Sequence, residues 1–179
     1  MIVNPDIFRS YDIRGIYNRD FDVSFAEEFG NKVALALQAK TLVIGRDRRV
    51  SSDALEKALA QGVILAGVRV LEIGECTTPS FYYSVHATQS EGGIMITASH
   101  NPQEYNGFKV VGLDGNIIGG DQLRMMYLNT ESNRSGAGMI ETYDGIGEYA
   151  KTVSRSGGRA ENTFAVGVNG PRANEKILN

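Results

Sequence analysis

Short apolar runs alternate with capped amphipathic segments over the first 130 or so residues, and this alternation restricts the fold more than any other feature. Thr41 to Gly45 (TLVIG), Val68 to Gly74 and Gly92 to Thr97 each read as a buried strand. Ser24-x-x-Glu27 has the form of a capping box, and Phe25, Phe29, Val33 and Leu37 recur at a spacing of four, which predicts a helix. Asp53-x-x-Glu56 opens a second helix with Leu55, Leu59, Val63 and Ala66 on one face, and Gly67 sits where a C-cap belongs. After the Thr77-Thr78-Pro79 turn, Ser80 can cap a third helix through Phe81, Tyr82 and Val85. Phe108 to Val111 and Asn116 to Ile118 flank Leu113-Asp114-Gly115, where Asp-Gly signals a hairpin. Gln122 to Leu128 reads as a fourth helix, and Asn4 to Asp20 shows no period. Strands alternating with helices, plus one antiparallel addition, predict a three-layer α/β/α domain with a mostly parallel, mixed sheet.

That domain is expected to occupy residues 1–135. Beyond it, Ser132 to Gly138 is Ser/Gly-rich, Gly145 to Val153 predicts a weak helix with Ile146, Tyr149 and Val153 on one face, and Phe164 to Val168 reads as one more strand. Residues 136–179 are therefore expected to form a linking helix and an incomplete further unit. A length of 179 residues suits one domain of ordinary size.

Charge and cysteine content narrow the function classes. With 18 Lys+Arg against 21 Asp+Glu, the net charge of -3 provides no global field for holding nucleic acid. No apolar run approaches the roughly 18–20 residues of a membrane span. The single Cys76 has no partner for an internal disulfide or a thiolate metal cage, and the two histidines restrict imidazole metal sites. With no apolar leader in the first residues, a cytoplasmic location is expected. No Gly-x-Gly-x-x-Gly follows a strand and no Gly-Lys-Ser/Thr closes a phosphate loop, so neither nucleotide motif has support.

Four segments carry chemistry. Thr97-Ala98-Ser99-His100-Asn101-Pro102 leaves the end of a buried strand, where ligands bind in open α/β sheets. It concentrates a hydroxyl nucleophile, an imidazole and an amide, and Pro102 stiffens it. The plainer alternative is a polar turn in which Ser99 or Asn101 only caps a helix. Gly45-Arg46-Asp47-Arg48-Arg49-Val50-Ser51-Ser52 also leaves a strand, and its arginines, Arg46 and Arg49 among them, could grip phosphate through paired guanidinium donors. They could equally pair with Asp47 in a solvated turn. Arg14 lies in Tyr11-Asp12-Ile13-Arg14-Gly15, and Lys109 follows Asn106-Gly107-Phe108 near the start of a strand. His86, Met95, Met125 and Met126 read as packing or solvent-facing residues.

Tyr-Asp-Ile-Arg-Gly at 11–15, Gly-Arg-Asp-x-Arg-x-Ser-Ser at 45–52, Thr-Ala-Ser-His-Asn-Pro at 97–102 and Asn-Gly-Phe-Lys at 106–109 occur in this order. Together they make the chain resemble the first domain of the α-D-phosphohexomutase family, in its phosphomannomutase/phosphoglucomutase group. The resemblance is close over roughly residues 5 to 130. It implies interconversion of hexose 1-phosphate and hexose 6-phosphate through a hexose bisphosphate, with a hexose 1,6-bisphosphate as activator. It implies that Ser99 carries the phosphate and that Mg²⁺ sits on that phosphoserine. Arg14 and Lys109 match the family's basic residues beside it, His100 matches the histidine after it, and Tyr11 matches a residue near the sugar. Thr97, Asn101, Arg46 and Arg49 are expected around the phosphate or substrate.

The family's chains have four domains, the second bearing an Asp-x-Asp-x-Asp-Arg loop for Mg²⁺, the third a sugar-recognition loop and the fourth a phosphate-binding loop. No Asp-x-Asp-x-Asp occurs here, and Phe164 to Gly170 (FAVGVNG) resembles the beginning of the second domain. The resemblance thus implies the phosphoserine-bearing domain of such a mutase, expected to lack full turnover alone. Its partners would be hexose phosphates, and the missing domains or a full-length relative. The alternatives are a non-catalytic phosphosugar-binding module and an interaction module. Which sugar is preferred, and whether His100 relays a proton or bonds a substrate oxygen, stay open.

Overall fold

A computed structural model describes residues 4–156. After a 3-10 turn at Pro5–Ile7, the chain forms β1 (Ile13–Ile16), α1 (Val23–Ala36), β2 (Thr41–Arg46), α2 (Ser52–Leu65) and β3 (Arg69–Glu75). Then follow α3 (Thr78–Ala87), β4 (Gly92–Ile96), β5 (Tyr105–Gly112), β6 (Ile117–Ile118), α4 (Gly120–Asn129), β7 (Ile140–Thr142) and α5 (Gly145–Ser156). The strand expected at Phe164 to Val168 lies outside the described residues.

The strands make one seven-stranded sheet in the order β1-β5-β4-β2-β3-β7, with β6 also on β5. The β2–β4, β2–β3 and β3–β7 pairings are parallel. Only β5 is reversed: it runs against β4, β1 and β6, so the other six strands point one way. The mixed, mostly parallel α/β/α architecture is as the alternation predicts. The β5–β6 hairpin turns at Gly115, with φ +74, and the Asp114 carboxylate accepts from Asn116 N at 3.0 Å.

Side-chain alternation sorts each strand between two cores. Leu42, Ile44, Ile94, Ile96, Phe108 and Val110 face the first core, which holds α1, α2 and α4. Its centre is aromatic: Phe25 stacks on Phe29 at 5.5 Å between centroids, and Phe29 lies 5.4 Å from Phe108. Burying such a ring contributes about 1.5–3 kcal/mol. Val43, Leu71, Ile73, Met95 and Val111 face the second core beneath Phe81 and Val85 of α3, with Tyr143 and Ile146 against it. Cys76 is buried there, and burial pushes its thiol up to about 12, so it is not a nucleophile at neutral pH.

Several local details depart from the sequence expectation. The N-cap of α1 is Asp22, whose extended backbone lets its carboxylate accept from Phe25 N at 2.9 Å, while Ser24 is already inside the helix. Thr77 rather than Ser80 caps α3; Ser80 is the reciprocal member of the capping box, its hydroxyl accepting from Thr77 N at 3.1 Å. The aperiodic N-terminal segment contributes β1. Within residues 136–156, β7 adds an edge strand to the sheet and α5 packs on α3. The extended 136–138 stretch reaches β7 by bonding to α2, Gly136 N to Leu65 O and Gly138 N to Ile64 O, both at 2.9 Å.

Candidate active site

The loop after β4 and the start of β5 meet at the carboxyl end of the parallel strands. Alternation along β5 buries Phe108 and Val110 in the first core and turns Lys109 to the other face, beside the serine loop. On β1, Ile13 is buried opposite Phe108, so Asp12 and Arg14 share the face of Lys109. The geometry follows from this: Asp12 Oδ2 accepts from Arg14 Nη2 at 2.6 Å and from Lys109 Nζ at 2.8 Å. Arg14 Nη1 donates to Asn101 Oδ1 at 2.8 Å, linking the cations to the serine loop. Arg14 Nε is buried and finds no hydrogen-bond partner.

Ser99 sits at φ +56, in the left-handed region, which costs a non-glycine residue roughly 1–2 kcal/mol. Its backbone N–H donates to Thr97 Oγ1 at 2.9 Å, giving the buried Thr97 a role in shaping the bend. The bend exposes the Ser99 hydroxyl and sets it 3.2 Å from His100 Nδ1. With Nδ1 unprotonated, the ring nitrogen accepts a hydrogen bond from the hydroxyl.

Next to this loop lies an open cavity of about 490 Å³, lined in part by Arg9, Tyr11, Asp12, Arg14, Asn101 and Lys109. Three cations and one carboxylate line it, a net charge of +2, and Tyr11 stands 72% exposed at its side. Such a surface is suited to a dianion, because guanidinium and ammonium groups donate charged hydrogen bonds to phosphate-like oxygens.

The structure does not bring every expected residue to this cavity. Arg46 turns away: its Nε donates to Glu56 Oε2 at 2.7 Å and its Nη1 to Asp47 O at 3.3 Å. Arg49 lies under the serine loop and donates to three of its carbonyl oxygens and to Tyr105 O at the start of β5 rather than lining the cavity. Asp12 and Arg9 join the site without having been singled out from the sequence. For Asp12 the signal needs the structure: only once Ile13 is fixed in β1 do Asp12 and Arg14, two residues apart, fall on one face.

Among the described residues, no group of three His, Cys, Asp or Glu side chains could hold a metal ion. Asp12, the carboxylate beside the loop, already carries two cations on one oxygen. The described residues therefore do not form a divalent-cation cage by themselves. Among them, no helix is long and apolar enough to cross a membrane.

An α/β/α domain that presents a serine-histidine loop beside a cationic cavity defines a class, and comparison with known proteins identifies it. Residues 5–136 match the family model for phosphoglucomutase/phosphomannomutase, alpha/beta/alpha domain I, and the chain belongs to that family. A phosphomannomutase/phosphoglucomutase of Pseudomonas aeruginosa is 35% identical over 152 residues, covering 82% of this chain and 33% of the relative. A phosphomannomutase of Vibrio cholerae is 39% identical over 132 residues, covering 70% of this chain and 28% of the relative. The crystal structure of a phosphoglucomutase/phosphomannomutase family protein from Burkholderia thailandensis superposes with a TM-score of 0.74 at 32% identity, covering 85% of this chain and 36% of that one. The chain thus spans about a third of the length of these relatives.

Proposed function

We propose that this domain carries the phosphoryl-accepting serine of a phosphohexomutase, with Ser99 as the acceptor and hexose phosphates as substrates. The observation that supports it most is the Ser99 hydroxyl, exposed on a left-handed bend 3.2 Å from His100 Nδ1, in the loop whose Asn101 lines a cavity with a net charge of +2. In the reading proposed, Ser99 Oγ attacks the phosphorus of a hexose bisphosphate. Its proton passes to His100 Nδ1, the new Oγ–P bond forms, and the P–O bond to the sugar breaks. The proton then passes to the departing sugar oxygen, leaving a hexose monophosphate and phosphoserine. Arg14 and Lys109 stabilise charge on the phosphoryl oxygens, which is the main work in phosphoryl transfer. Asn101 holds Arg14 in place, Thr97 holds the bend, and Tyr11 faces the sugar side of the cavity. Mg²⁺ and a hexose 1,6-bisphosphate activator belong to this reading, with the metal's carboxylate ligands coming from outside the described residues.

Intact-mass measurement after incubation with glucose 1,6-bisphosphate and Mg²⁺ tests it. A gain of one phosphate, lost in Ser99→Ala, is expected. A chain that stays unmodified, or a Ser99→Ala variant that is modified equally, would sink the assignment.

A further inference from the structure

The loop between β2 and α2 is built around one side chain whose bonding an anion ligand would not need. All five N–H groups of the Arg49 guanidinium are engaged within the domain. Nη2 donates to Ser99 O at 2.9 Å and Asn101 O at 2.7 Å. Nη1 donates to Pro102 O at 2.6 Å and Tyr105 O at 3.0 Å, and Nε donates to Asp47 Oδ2 at 3.2 Å. Three carbonyl oxygens of the serine loop, and that of Tyr105 at the start of β5, therefore converge on one cation. Asp47 anchors that cation: its Oδ1 accepts from Arg49 N at 3.0 Å and from Ser52 Oγ at 2.7 Å. The Asp47 backbone N–H donates to Ile96 O at 3.0 Å, on the last residue of the strand that launches the serine loop. Asn106 closes the arrangement, donating to Ser51 Oγ at 2.8 Å and Ser52 Oγ at 2.9 Å.

We propose that Arg49 is the positioning residue of the Ser99 loop: it acts through the loop's carbonyls and not by touching phosphate. This rests on the reading of Ser99 as the phosphoryl acceptor. The physical need is clear. Four inward-pointing carbonyl dipoles repel one another, and Ser99 is held in a backbone region that serine disfavours. A planar guanidinium with fixed, forked donors satisfies both demands at once. An ammonium has three donors in a tetrahedral array and cannot span the same four oxygens.

The test compares wild type with Arg49→Lys, which keeps the charge, and with Arg49→Ala supplemented with guanidinium ion. The rate of Ser99 phosphorylation is followed by intact mass as a function of glucose 1,6-bisphosphate concentration. For Arg49→Lys the maximal rate is expected to fall at least tenfold, with the half-saturating concentration within twofold of wild type. Guanidinium is expected to restore part of the rate in Arg49→Ala. A raised half-saturating concentration with an unchanged maximal rate would make Arg49 an anion ligand and overturn the proposal, as would no change in either. Amide exchange provides a readout independent of phosphorylation. The Asn101 and Tyr105 amides, bonded to Ala98 O and Pro102 O, should exchange at least tenfold faster in Arg49→Lys while those of β2 and β4 do not. Unchanged loop exchange overturns the proposal. A wild-type chain that takes no phosphate, yet shows this loosening in the variant, would remove the Ser99 assignment and leave the loop-ordering role of Arg49 standing.

Discussion

At the residue scale, the polar groups divide into those that face the cavity and those that hold the fold, and only the first kind resembles a reagent in sequence. Arg46 shows why. An arginine after a strand reads as an anion ligand, yet here it donates to Glu56, which is buried on α2. Burial dominates the Glu56 carboxyl and raises it from 4.5 to about 7, outweighing the attraction of Arg46, while Glu72 and Asp53 push it the same way as burial. A carboxyl whose folded pKa lies above its unfolded value stabilises the fold fully below the unfolded pKa and loses that contribution as pH rises through the folded one. Stability supplied by Glu56 should therefore be present below pH 4.5 and decline up to about pH 7, by on the order of 1–3 kcal/mol. Glu56→Gln keeps an oxygen for Arg46 Nε and removes the titration. Urea unfolding of both proteins across this range should show a smaller decline in the variant, and parallel curves would contradict the assignment. No pattern in the sequence pairs Arg46 with a helix ten residues on, because the pairing depends on how α2 lies over β2.

At the scale of elements, strands β2 to β6, their hairpin and the helices of the described residues were legible because apolar period and turn residues are local. What was not legible depends on neighbours. Strand β1 has no period of its own and exists because Ile13 pairs with Phe108 on β5. Strand β7 is exposed along its length and is defined by its register with Val70, Leu71 and Glu72. Contact between α1 and α2 is a further case. Gly62 on α2 faces α1 so closely that a Cβ there would overlap the Glu27 carbonyl oxygen, and a Cβ at Gly30 would lie 2.5 Å from Leu59 O. Asn31 reinforces the crossing, donating from Nδ2 to Gly62 O at 2.9 Å. Replacing a helical glycine by alanine normally gains about 1 kcal/mol of propensity. Here the obstacle is backbone, which cannot rotate aside, and overpacking costs about 1–3 kcal/mol or more. Gly62→Ala should therefore lower the free energy of unfolding, and the check is its denaturant midpoint. A midpoint at or above wild type would mean the helices separate without loss.

At the scale of the whole molecule, the chain supplies one wall of the proposed site. Ser99 and His100 are exposed, Tyr11 stands 72% in solvent, and the cationic cavity is open. The chain spans only 33% of the Pseudomonas aeruginosa relative, and Asp12 is already occupied by two cations. Phosphoryl transfer depends almost wholly on positioning and electrostatics, and positioning alone can account for roughly 7–11 kcal/mol of a barrier. On the reading proposed above, an open site presents the exposed Ser99 hydroxyl and its neighbouring cations to a hexose bisphosphate, and one transfer of a phosphoryl group to Ser99 asks less of the site than the full cycle. Returning it requires the sugar monophosphate to stay bound, turn over and present its other hydroxyl, with water kept out. Nothing among the described residues encloses a sugar in that way. The 179-residue chain by itself should therefore become phosphorylated at Ser99 without sustaining conversion of glucose 1-phosphate. A coupled assay with the purified chain, Mg²⁺ and trace glucose 1,6-bisphosphate decides the matter. Steady, Ser99-dependent turnover of about 1–10³ per second, the range of ordinary enzymes, would show that the remaining walls are rebuilt by association of chains.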